Sequence, residues 1–191
     1  MFQPTLFPAD FPRFAAGFYY EPDFLTEAEE ADLIATVREL PLAAAEYKQF
    51  RARRRVVSYG GRFDYDSNTL NPTAPIPPFL HSLRDRVARW AGQPAESFVQ
   101  ALIAEYSKGT PLGWHRDVPQ FERVIGVSLL NPCQMRFRRY PPGPREKSLS
   151  IDLAPRSIYR LEGDARWGWQ HSVPAVDEPR YSITFRTLRT G

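Results

Sequence analysis

Cysteine is nearly absent: Cys133 is the single one in 191 residues. One thiol forms neither an internal disulfide nor a Cys-x-x-Cys metal site, which excludes a disulfide scaffold and a thiolate zinc centre. Its neighbours Leu129, Leu130 and Met135 point to a core strand position, so an inert buried thiol is expected rather than a nucleophile. Histidine is scarce too, with only His81, His115 and His171. No apolar run approaches the roughly 18 residues that a membrane span needs. The leading segment MFQPTLFPADFPRF lacks a basic stretch followed by an apolar core, so it does not read as a secretory signal. A soluble, cytoplasmic, monomeric protein without membrane contact is expected. Repeats and low-complexity blocks are also missing.

What is present favours one folded domain. Apolar residues make up 42% of the chain, and its length suits a single sizeable core. The net charge of +3 is only mildly basic. Its distribution says more: Arg51, Arg53, Arg54 and Arg55 form one cluster, and Arg136, Arg138 and Arg139 another. Either is compatible with a solvated surface or with nucleic acid.

Residues 1–22, rich in Pro and Phe, read as an extended arm packed on the body. Thr26 followed three residues later by Glu29 is a capping box. With Leu33, Ile34, Val37 and Leu40 at helical spacing, it predicts a helix over about 27–40, ended by Pro41. Residues 50–70 alternate instead, and Gly60-Gly61 predicts a turn between two strands. A stiff loop with four prolines between 72 and 78 precedes a second helix, about 79–91, with Leu80, Leu83, Val87 and Trp90 on one face. From 97 onward, short apolar runs recur between Pro and Gly: 98–105, 124–129, 134–138, 149–153, 157–161 and 180–188. Helices followed by many short strands predict an α+β protein in which N-terminal helices cover one sheet of a β-sandwich or jelly roll.

Two of the three histidines have company. Trp114-His115-Arg116-Asp117 contains His-x-Asp at a strand end, and residues i and i+2 of a strand point to the same side. His115 and Asp117 can therefore reach one ion, with His171 as a third ligand from across a barrel. Two imidazoles and a carboxylate on one face leave coordination positions open, which suits a non-haem Fe(II) oxygenase; a zinc hydrolase can use similar ligands. His-x-Asp by itself is weak, since such pairs also arise by chance. His81 has no acidic partner at ligand spacing and reads as structural or exposed.

The C-terminal segment sharpens the reading. In Arg180-Tyr181-Ser182-Ile183-Thr184-Phe185-Arg186, alternation puts Arg180, Ser182, Thr184 and Arg186 on one face. Paired arginines on a core strand are costly unless they meet anions. A dicarboxylate such as 2-oxoglutarate would satisfy them through bidentate forks.

Three stretches then carry a family resemblance: residues 106–117 (YSKGTPLGWHRD), Gly126-Val127-Ser128-Leu129, and His171 followed by the RYSITFR segment. Over roughly 100–188 the chain resembles the AlkB family of Fe(II)/2-oxoglutarate dioxygenases. The resemblance implies a double-stranded β-helix core over 97–191, with 1–96 supplying the N-terminal extension, helices and substrate lid of one domain. It implies Fe(II) on His115, Asp117 and His171, with 2-oxoglutarate and O₂ as cosubstrates. Tyr106 and Arg180 would hold the distal carboxylate of 2-oxoglutarate, Arg186 would lie near its metal-bound end and Asp117, and Ser182 would add a hydroxyl. Ala104 and Pro119 depart from the family pattern, at an Asn-x-Tyr position and at a second acidic position after the His-x-Asp.

The activity implied is oxidative demethylation of N-alkylated bases in DNA, or RNA, with release of formaldehyde. A base must be single-stranded or flipped out to reach such a site, and aromatic stacking offsets the cost. The expected substrate contacts are Tyr59, Arg62 and Tyr65 in a lid, and Trp114 and Trp169 near the ligands. Trp167 is a further aromatic near the pocket, whereas Phe63 is expected in the core. Asp64 and Asp66 read first as solvated loop acids, and second as partners for a cationic base. The competing expectation is an oxygenase acting on a protein side chain or small molecule.

Overall fold

The computed structural model describes residues 15–47, 50–64, 67–143 and 147–189. In chain order the elements are β1 (Phe18–Glu21), α1 (Glu27–Arg38), β2 (Ala43–Tyr47), β3 (Phe50–Tyr59), β4 (Arg62–Asp64), β5 (Thr69–Asn71), α2 (His81–Ala91), β6 (Phe98–Tyr106), β7 (Leu112–His115) and β8 (Phe121–Leu129). They continue with β9 (Cys133–Arg139), β10 (Leu149–Leu153), β11 (Ile158–Leu161), α3 (Gly163–Trp167), β12 (Trp169–Val173) and β13 (Arg180–Leu188).

A seven-stranded sheet runs β1-β11-β8-β13-β6-β3-β2, and a four-stranded sheet runs β10-β9-β12-β7. This is the expected jelly roll with helices on one sheet. Helix α1 starts at the Thr26 capping box, whose two reciprocal bonds are both present. The second helix begins two residues later than its apolar spacing suggests, because Pro78 opens a 3₁₀ turn over Pro78–Leu80. Ile34 and Val37 of α1 and Leu83 and Val87 of α2 pack on Ile103, Ile125, Val127, Ile183 and Phe185 of the large sheet. Each such side chain contributes roughly 1.5–3 kcal/mol of hydrophobic stabilisation.

A second apolar cluster lies between the sheets, with Cys133, Met135, Phe137, Ile151 and Leu153 from the smaller one. Cys133 is buried and unpaired, and burial pushes its thiol pKa up, as an inert thiol requires. Strand β13 pairs with β6 on one side and β8 on the other, so its arginines belong to a central strand rather than an edge.

Three expectations change. The chain turns at Gly60, where φ is +80° and a Cβ would meet the Val99 carbonyl, but β3 and β4 do not pair; the hairpin is β4 with β5. Helix α3 was not foreseen, because its five residues are too few to show a helical period. The expected arm over 1–22 lies mostly outside the described residues, and its last part, β1, forms an edge strand on β11. Among the described residues no helix is long and apolar enough to cross a membrane.

Candidate metal and cosubstrate site

His115 ends β7, and the pairing of β7 with β12 sets it directly opposite His171. The third ligand candidate therefore comes from the adjacent strand of the same sheet, not from across the barrel. The two imidazole centroids are 4.2 Å apart. One ligand atom from each of His115, Asp117 and His171 lies within 4.8 Å of the others.

The hydrogen bonds orient all three. His115 Nδ1 is 2.9 Å from the Gly113 carbonyl. A carbonyl only accepts, so Nδ1 carries the proton and the Nε2 lone pair is free. Asp117 Oδ1 accepts from Arg186 Nε at 2.9 Å and Nη2 at 2.7 Å. Asp117 Oδ2 is buried without a hydrogen-bond partner and lies 3.6 Å from His171 Nε2. A buried carboxylate oxygen left bare beside two imidazoles is what a divalent cation would satisfy.

The electrostatics agree. Burial, and then the neighbouring His115, push the His171 pKa down to about 3. Burial also lowers His115, against the pull of Asp117. Burial alone would raise the Asp117 carboxyl, but Arg186 and the two histidines outweigh it and hold it well below the usual range. Near neutral pH the set is two neutral imidazoles and one carboxylate, each in its ligating form.

Behind these three residues lies a small cavity of about 50 Å³, whose walls include Tyr106, Tyr159, Arg180, Ser182 and Arg186. Arg180 is opposite Tyr106 on β6, and Ser182 is opposite Ser128 on β8. Arg180 is 2% exposed. Its Nη2 donates to Ser128 Oγ at 2.7 Å, its Nε has no partner, and no carboxylate pairs with it among the described residues. A buried guanidinium without a counter-ion calls for an anion. The Gly126-Val127-Ser128-Leu129 motif gains a physical meaning here. Ser128 anchors Arg180, and Gly126 makes room for the Tyr159 ring, which a Cβ would meet at 2.4 Å.

A larger cleft of about 920 Å³ opens on the other side, with Arg62, Phe63, Trp114 and Arg116 in its wall. It meets the inner cavity at Arg54, His115, Asp117 and Arg186. Of the expected substrate contacts, Arg62 and Trp114 therefore line the cleft. Tyr59 does not; it packs toward the helices. Trp169 is buried among the core residues, with its Nε1 on Asp164 at 3.0 Å and Arg139 over its ring. Trp167 bonds Glu122 and lines neither space. Tyr65 and Asp66 lie outside the described residues, and Asp64, which bonds Ser67, lines neither space. Phe63, expected in the core, lines the cleft. His81 bonds the Ile76 carbonyl, in keeping with a structural role.

Sequence reasoning missed three contributors. Arg54 is expected only with its arginine cluster, on a solvated surface or against phosphates, but the pleat of β3 splits that cluster. Arg55 faces out to Glu105 at 2.7 Å, whereas Arg54 faces the cavity, 3.4 Å from the Tyr106 hydroxyl. Strand alternation would have found it. Gln100 takes Arg186 Nη1 at 3.0 Å and ties it to the Gly61 carbonyl. Arg166, buried on α3, donates to the carbonyls of Asp117, Val118 and Phe121, fixing the turn that follows Asp117. No local pattern marks Gln100 or Arg166.

Comparison with known proteins agrees with this geometry. The family model described as the 2OG-Fe(II) oxygenase superfamily matches residues 17–186. The "Alkylated DNA repair protein ALKBH8 homolog" of Arabidopsis thaliana is 30% identical over 198 residues, covering 91% of this chain and 56% of that protein. The "RNA demethylase ALKBH9B" of the same plant is 27% identical over 160 residues, covering 75% of this chain and 32% of that protein. The chain thus spans about half of the first relative and a third of the second. Among solved structures, OsALKBH1 superposes with a TM-score of 0.67 at 15% identity, over 90% of this chain and 98% of that one.

Proposed function

This chain belongs to the 2OG-Fe(II) oxygenase superfamily, and we propose that it is an oxidative demethylase of N-alkylated bases in single-stranded DNA or RNA. Its cofactor and cosubstrates are Fe(II), 2-oxoglutarate and O₂, as the family has them. We assign the iron to His115, Asp117 and His171. The bare Asp117 Oδ2 between two neutral imidazoles carries that assignment. The distal carboxylate of 2-oxoglutarate goes to Arg180, Tyr106 and Ser182, because Arg180 is a buried cation without a counter-ion among the described residues. When bound, the iron with 2-oxoglutarate and O₂ supplies the oxidising equivalents that hydroxylate an unactivated C–H bond.

The chain's own residues do the rest. Arg186 grips Asp117 Oδ1 through two donors, so the carboxylate keeps its free oxygen turned to the histidines. Gly113 fixes the His115 tautomer. Arg166 holds the backbone of the turn behind Asp117. The inner cavity keeps the cosubstrate away from water, and the cleft admits a base beside His115 and Asp117. Trp114 offers that base an aromatic face and Arg62 a cation for its phosphate.

The nucleic-acid assignment is supported by the names of the two plant relatives and by the arginines at the cleft. The test is incubation with Fe(II), 2-oxoglutarate and single-stranded oligonucleotides carrying one N-methylated base, following succinate and intact mass, with His115→Ala as control. Loss of one methylene mass unit, absent in the control, supports the reading. Succinate without any mass change, across DNA and RNA, would redirect it to a protein side chain or small molecule.

A further inference from the structure

The smaller sheet has an outward face that the chemistry above does not use. On β9 the pleat turns Cys133, Met135 and Phe137 into the core and leaves Gln134, Arg136 and Arg138 outside. Opposite Arg136 and Arg138 on β12 stand Ser172 and Gln170. Across those small or neutral residues the two guanidinium groups reach Trp114 of β7, at 5.5 Å and 4.6 Å from its ring. Arg138 Nε donates to Gln170 at 2.8 Å, and Arg136 Nε has no partner. Farther along the rim, exposed Arg116 lies 3.8 Å over the ring of Tyr140, itself exposed.

No carboxylate pairs with Arg116, Arg136 or Arg138 among the described residues. Asp152, the acid on neighbouring β10, lies opposite Gln134 and bonds neither β9 arginine. Three cations are thus held on aromatic rings without counter-ions. The strip is continuous with the cleft, because Trp114 and Arg116 also line it, one residue to either side of His115. Cations held in place by aromatic stacking lose little freedom when they take an anion. Residues two apart on a strand are roughly 6.7 Å apart, so Arg136 and Arg138 present two separate anchor points in a row leading to the cleft.

We propose that this outer face, with Arg136 and Arg138 stacked on Trp114 and Arg116 on Tyr140, is a track for the phosphodiester backbone of a single-stranded nucleic acid. The strand crosses it on the way to or from the cleft that holds its target nucleotide. This rests on the nucleic-acid reading above. The face offers charge and aromatic rings, and its chemistry suits flanking phosphates, not base sequence. A demethylase with such a track gains affinity with strand length beyond the target nucleotide.

The test compares the full chain with an Arg136→Gln/Arg138→Gln variant. Binding of oligodeoxythymidine and oligouridine of equal length is measured by fluorescence anisotropy over a series of salt concentrations, with polyglutamate as a competing polyanion. Succinate formation without nucleic acid serves as the control for folding, and it stays at the wild-type rate. The expected result is weaker binding in the variant, with a log–log salt slope shallower by about 1.4, two contacts at about 0.7 each for a single strand. Wild-type binding with an unchanged slope and affinity in the variant overturns the track and leaves the nucleic-acid reading standing. No binding of either oligonucleotide by the wild type overturns both. Polyglutamate that competes as well as the oligonucleotides, and loses equally in the variant, reassigns the face to an acidic protein partner.

Discussion

Replacing Arg180 by methionine should separate stability from function. The guanidinium is buried, bonded to one neutral hydroxyl and, among the described residues, without a counter-ion. Removing a charge from such a place and filling it with an apolar chain of similar length is often neutral or stabilising by about 1–4 kcal/mol. In a domain of this size each kcal/mol moves the melting point by about 2–4 °C. Without 2-oxoglutarate, Arg180→Met is therefore expected to melt at or above the wild type. With 2-oxoglutarate the order reverses. Truncating one partner of a buried, hydrogen-bonded charge pair costs roughly 2–5 kcal/mol, which lowers 2-oxoglutarate affinity by about 30-fold to several thousand-fold. Thermal melts with and without 2-oxoglutarate, in the presence of a redox-inert divalent metal, read both effects. A variant that melts well below the wild type in the absence of 2-oxoglutarate, yet keeps its 2-oxoglutarate-dependent shift, would refute the assignment of Arg180 to the anion.

Three further outcomes are expected. Gly126→Ala drives a methyl group into the Tyr159 ring in the middle of the large sheet; it should destabilise by about 1–3 kcal/mol, and Tyr159→Leu in the same chain should recover part of that loss in a denaturant melt. His171 binds a proton only near pH 3 in the fold but at the ordinary 6.5 when unfolded, so the unfolded state takes up the extra proton in between. The stability that depends on the neutral imidazole is then complete above pH 6.5 and falls as pH drops toward 3, by about 1.4 kcal/mol per unit for one proton. His115 adds to the same trend, and His171→Asn should flatten a plot of denaturant midpoint against pH for metal-free protein. Asp117→Asn leaves Arg186 without its carboxylate and should abolish stabilisation by added Fe(II) or Mn(II) in a melting assay, whereas Gln100→Ala, which touches only Arg186 Nη1 in this network, should weaken it by no more than about tenfold.

The linear order of residues determined a good deal by itself. Thr26 and Glu29 carry the reciprocal pattern of a helix start, so α1 was legible from a local pair. The alternation of residues 180–186 gave the two faces of β13, one apolar toward the helices and one polar toward the cavity, because the pleat has a fixed period of two. His-x-Asp placed two candidate ligands on one side for the same reason. The RYSITFR ending added a family resemblance that the family model and the plant relative support.

Tertiary structure alone decided the rest, because it concerns which strands become neighbours. The pairing of β12 with β7 brings His171 beside His115 from 56 positions away. Arg166 reaches the turn after Asp117 only because α3 packs beneath it. Tyr59 and Trp169 were reasonable candidates by proximity in sequence, yet the face a side chain takes depends on the sheet around it, and both faces fell to the core. Arg54 and Phe63 turned toward the cleft for the same reason. Periodicity is a property of one strand and can be read along it; a cavity is enclosed by several strands at once, and no single segment encodes its walls.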